Sequence, residues 1–162
     1  MNNLSDLFLP DYTPYEIIKQ GSYGGTYFRP IHSTVTGKNY KDADLEFDWG
    51  GIPRSKLIKP WNQYDTNINK YKCKVGTTLE FWESKGWIHP QDPYGWFQWY
   101  CRYYAGRRTD DDLRQIKRWI SIKNRFGKLK NKTDDISCHP LTAKAVKTPA
   151  IKQTLLHWGI AS

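Results

Sequence analysis

The chain has 162 residues, enough to bury about two-thirds of its unfolded surface in one core, and a 15% aromatic content with eight Trp and eleven Tyr excludes a disordered chain. Apolar residues reach only 38%, so the core must be built largely from rings. The net charge of +9 points to a polyanionic partner, while the start MNNLSDLFLP and the lack of any apolar run near the ~20 residues of a membrane span predict a soluble intracellular protein, cytoplasmic or nuclear, with no membrane partner.

In chain order, Thr13-Pro14-Tyr15-Glu16 supplies a capping hydroxyl, a proline at the first helical position and a reciprocal glutamate, and Gly21 suits a left-handed stop. These predict a helix near 14–20. TYFRPIHST and KDADLEFDW follow, short and β-prone, and predict two to four strands of a small sheet. As a strand, the second would put Asp42, Asp44, Glu46 and Asp48 on one face, either as a solvated row or as a divalent-cation site, the solvated row being the commoner arrangement. Thr77-Thr78-Leu79-Glu80 repeats the capping box and Gly86 the stop, for a helix near 78–85. Asp92-Pro93 opens a third helix that ends at Gly106, and a fourth starts at Thr109 or Asp110 and runs to Ser121 or beyond. The Lys/Asn-rich stretch 128–135 reads as an exposed loop, and Thr148-Pro149 begins a fifth helix that ends at Trp158 before Gly159. The expected fold is α+β, a compact single domain over residues 1–162, with a small irregular sheet in the N-terminal half and packed short helices in the C-terminal half.

The stretch DPYGWFQWYCRYYAGRR, residues 92–108, holds seven aromatic rings and three arginines. A helix with rings on nearly every side must be buried around most of its circumference, so Trp96, Phe97, Trp99, Tyr100, Tyr103 and Tyr104 are expected in the core. Gln98 and Arg102, four apart, form a narrow polar strip. On the next helix Leu113, Ile116 and Ile120 make a packing face, while Arg114, Arg118, Ser121 and Arg125 recur at helical spacing on another side with Lys117 beside them.

Charge is distributed unevenly. Residues 1–100 carry 11 basic and 11 acidic side chains, and residues 101–162 carry 14 basic and 5 acidic, so the second stretch holds the whole excess. Arg102, Arg107, Arg108, Arg114, Lys117, Arg118, Lys123, Arg125, Lys128, Lys130 and Lys132 are eleven cations against three acids, the footprint of a nucleic-acid-binding surface. Those three acids, Asp110, Asp111 and Asp112, suit the start of a helix, where carboxylates satisfy free amides and complement the dipole.

Other motifs are weak. Gly21, Gly24 and Gly25 follow a helix and lack the G-x-G-x-x-G spacing of a nucleotide fingerprint, and neither Gly37-Lys38 nor Gly127-Lys128 completes a phosphate-binding loop. His32, His89, His139 and His157 show no metal-binding spacing, and Cys73, Cys101 and Cys138 lie far apart, so reduced thiols, no metal and no cofactor are expected.

Four segments, GWIHPQDPYGWFQWYCRYYAGRR, DDDLRQIKRW, NRFGKLK and TPAIKQTLLHWGI, together resemble an uncharacterised family of short domains with a shared G-W-F-Q-W-Y-C-R, G-R-R, R-Q-I-x-R-W and terminal Q-x-L-x-H-W-G signature. The resemblance covers roughly residues 77–160, implies one domain and implies no activity. Lys152 stands where that pattern has arginine, which keeps the charge and loses a planar bidentate donor.

The sequence thus points to a DNA- or RNA-binding protein that grips the backbone with the cations of 102–132, with Tyr94 or Trp119 stacking on an unpaired base. Two other classes stay open. One is a small hydrolase or nucleic-acid-modifying enzyme using Asp110, Asp111, Arg107 and His89 in a ring-lined cleft that could hold a modified base or another small ligand. The other is a protein-interaction module anchored by exposed Trp and Arg.

Overall fold

The computed structural model describes residues 4–135 and 143–161, and within these the side chains of 4–126 and 149–161. The fold is α+β: a two-stranded antiparallel sheet in the N-terminal half and helices concentrated in the C-terminal half. Strands β1 (Ile31–His32) and β2 (Asn39–Tyr40) pair with Ile31 opposite Tyr40 and His32 opposite Asn39. The helices are α1 (Pro14–Lys19), α2 (Leu79–Ser84), α3 (Trp96–Tyr104), α4 (Asp112–Asp135) and α5 (Ala143–His157). None of the described helices is long and apolar enough to cross a membrane.

Local chemistry accounts for the helix ends. In α1 the Glu16 amide donates to the Thr13 hydroxyl at 3.2 Å and the Thr13 amide to the Glu16 carboxylate at 3.0 Å, with Pro14 in the first turn. Gly21 then takes φ +79°, and a Cβ there would meet the Ile68 carbonyl oxygen at 1.7 Å, so glycine is required both by the turn and by the chain lying on it. Helix α2 starts one residue later than expected. Thr78 is its cap, accepting from the Phe81 amide at 3.2 Å, so the Thr77–Glu80 box does not form.

Helix α3 starts at Trp96, because residues 92–95 fold into a turn that ends with Gly95 at φ +101°. Helix α4 starts at Asp112, after Thr109 and Asp112 exchange bonds: the Thr109 amide donates to the Asp112 carboxylate at 2.9 Å, and the Asp112 amide to the Thr109 carbonyl at 3.2 Å. The capping expected of the aspartates falls mainly to Asp112. The backbone of α4 stays helical to Asp135, through the stretch expected as a loop. Helix α5 includes Pro149 in its interior and stops at Gly159, φ +72°, as expected.

KDADLEFDW is not a strand. Asp42 turns the chain at φ +59° into a 3₁₀ turn over Ala43–Glu46, which scatters the four carboxylates expected on one face. Asp44 is buried against Arg54 with bonds of 2.8 and 2.9 Å, Asp42 meets the same guanidinium at 2.8 Å, Glu46 reaches Arg102 and Asp48 accepts from the Gly50 amide. Among the described residues no group of three or more metal-binding side chains forms.

Helix α3 runs through the centre of the core. Phe8 packs against Trp96, Trp99, Tyr100 and Tyr103 on one side, and Phe97 meets Tyr27, Phe28 and Trp49 on the other. Each such ring buried is worth about 1.5–3 kcal/mol. Gln98 does not reach solvent: it is buried, and its side-chain oxygen accepts from the Tyr94 amide at 3.0 Å. Tyr104 is the exception among the expected core rings and stands exposed at the last turn.

Candidate nucleic-acid interface and an aromatic pocket

The eleven cations do not present equally. Asp92, 0% exposed, accepts from Arg102 at 3.0 Å, from Arg107 at 2.9 and 2.6 Å and from the Gln91 side chain at 3.2 Å. Arg102 also holds Glu46 at 2.9 and 2.8 Å. Arg114 is paired with Asp111 at 2.6 and 3.0 Å. Arg102, Arg107 and Arg114, expected as contacts, are thus partly exposed arginines held in ion pairs with buried carboxylates, and removing one partner of such a pair costs far more than removing a free surface charge.

Five cations have no acidic partner among the described residues: Arg108, Lys117, Arg118, Lys123 and Arg125. Arg108 lies over Tyr103 with its guanidinium carbon 3.6 Å from the ring centre, and Lys123 sits 5.1 Å from the Trp119 ring. Lys117, Lys123 and Arg125 are exposed. At about 100° per residue, Lys117, Arg118 and Arg125 share about a third of the α4 circumference, and Lys123 lies roughly opposite. The side chains of Lys128, Lys130 and Lys132 lie outside the described residues. Of the expected packing face, Ile116 is buried and Ile120 partly so, whereas Leu113 is exposed.

Stacking by Tyr94 or Trp119 is also corrected. These side chains are 2% and 1% exposed, and their polar ends donate to the Arg29 carbonyl at 2.7 Å and the Trp158 carbonyl at 2.8 Å. Neither ring offers a face to a base.

A second group of rings lines a pocket. The pocket, of about 260 Å³, opens between α2, the turn after it, the start of α3 and the end of α5, with Trp82, Trp87, Trp96 and Trp158 in its walls. Trp96 and Trp158 lie with ring centres 4.5 Å apart at 41°, and Phe81 and Trp87 meet edge to face at the exposed side. Arg118 joins this wall from α4. One of its terminal nitrogens donates to the Gln115 side chain at 2.8 Å and the Trp87 carbonyl at 3.3 Å, and its guanidinium carbon lies 5.8 Å from Trp87 and 5.5 Å from Trp158. Burial, with help from neighbouring Arg114, lowers its pKa to about 10, which leaves it cationic at neutral pH.

Polar atoms stand unpaired in this apolar setting. The Trp96 indole N–H and both ring nitrogens of His157 are buried with no hydrogen-bond partner among the described residues. Burial pushes the His157 pKa down to about 3, so the imidazole is neutral. Its ring lies 4.1 Å from that of Tyr23, whose hydroxyl donates to the His157 carbonyl at 2.6 Å and fixes the wall.

The enzyme residues do not meet here. Asp110 is exposed, Asp111 and Arg107 are taken by Arg114 and Asp92, His89 accepts from the Gln91 amide at 3.1 Å, and none of the four lines the pocket. The pocket residues Trp82, Trp87, His157 and Trp158 escaped sequence reasoning, because they come from separated segments with no shared spacing. Only the ring density of FWESKGW and the terminal HWG marked them. Comparison of the chain with protein-family models, curated proteins and solved structures finds no match.

Proposed function

We propose that the protein binds nucleic acid, DNA or RNA, with one face of α4 and the Arg108 corner contacting the phosphate backbone. The observation that carries this reading is the set of cations without acidic partners on one side of α4: Lys117 and Arg125 exposed to solvent, with Arg118 beside them in the wall of an aromatic pocket. Cations held this way contribute through counterion release and position the strand without reading its sequence. Arg102, Arg107 and Arg114 keep the surface in place from within the fold.

The fold sets the choice of variant. Replacing Arg114 or Arg118 would remove bonds to Asp111, Gln115 and Trp87, so loss of binding there would confound contact with stability. Lys117 and Arg125, exposed and on that face, are free of that problem. Their double replacement by alanine is expected to weaken retention on a single-stranded oligonucleotide at least tenfold, with the melting temperature nearly unchanged. Unaltered retention refutes the assignment.

A further inference from the structure

We infer that the tryptophan-lined pocket is a nucleotide site, taking a planar heteroaromatic base between indole faces and its phosphate on Arg118. This deepens the nucleic-acid reading and rests on it for one supply of the ligand, an unpaired position in a strand.

The walls select ring shape. Trp82, Trp87, Trp96 and Trp158 line the pocket, and indoles are residues on which bases stack. Charge at the mouth selects the tail. The Arg118 Nε and second terminal nitrogen donate to nothing among the described residues, no carboxylate lines the pocket, and a guanidinium in the wall repels the quaternary ammonium ligands that ring cages otherwise suit.

The test is calorimetric titration of the full chain with AMP, CMP, GMP and UMP, with adenosine, and with a short single-stranded oligonucleotide. At least one monophosphate is expected to bind. Thr77→Trp, which fills the rim at an exposed position, should abolish that binding. Arg118→Gln should weaken AMP and leave adenosine unchanged, and that pairing separates loss of a phosphate contact from loss of the folded pocket. No binding of any monophosphate by protein with an unchanged melting curve overturns the inference. So does binding of both monophosphate and oligonucleotide that Thr77→Trp leaves unchanged, a result that leaves the α4 reading standing. Monophosphate binding lost in Thr77→Trp, without oligonucleotide binding, supports the pocket as a free-nucleotide site and removes the α4 reading instead.

Discussion

His157 shows how burial alone sets a residue's behaviour. Its imidazole is 7% exposed, stacked on Tyr23 and without hydrogen-bond partners among the described residues, so the charged form is disfavoured and its pKa falls to about 3. In the unfolded chain the value is about 6.5. Between these limits the unfolded state binds the extra proton, so the contribution of neutral His157 to stability is complete above about pH 6.5 and declines as pH falls toward 3, by about 1.4 kcal/mol per unit. Urea unfolding at pH 7 and pH 5 should therefore show a loss about 2 kcal/mol larger in the parent than in His157→Phe. Equal losses would place the imidazole in water. The sequence holds four histidines with nothing in their spacing to separate them, and only the packing of the end of α5 against Tyr23 makes this one different.

At the scale of elements, what was legible was what is local. Thr13 with Glu16, the stops at Gly21, Gly86 and Gly159, and the ring-rich α3 follow from neighbours within a turn or two. What failed depended on distant partners. Alternating acids in KDADLEFDW satisfy a strand pattern, but Arg54 and Arg102 draw them into a turn instead. Asp92 looked like a helix cap and is the knot that joins the turn before α3 to Arg102 within it and Arg107 after it. Asp92→Asn should destabilise the fold by about 3 kcal/mol in urea, toward the low end for a broken buried pair because Arg102 keeps Glu46 and Arg107 is partly exposed. A loss below about 1 kcal/mol would mean that the two arginines are held by something else.

For the molecule as a whole, the positive excess of residues 101–162 divides into two roles that composition cannot separate. Some cations neutralise the carboxylates that fasten α3 and α4 to the rest of the core, and others stand free along α4 beside a pocket of indoles. The candidate site was therefore half legible: helical spacing marked the stripe of Arg114, Arg118 and Arg125 with Lys117 beside it, of which Arg114 is paired with Asp111, and the pocket, assembled from five separate stretches of chain, was not marked. The measurement that tests the central claim most directly is the salt dependence of binding to a single-stranded oligonucleotide. With four phosphates neutralised the log–log slope should be about −3, and Lys117→Ala and Arg125→Ala should each reduce its magnitude by about 0.7. A slope near zero, or one that neither replacement changes, would contradict a phosphate-binding role for α4.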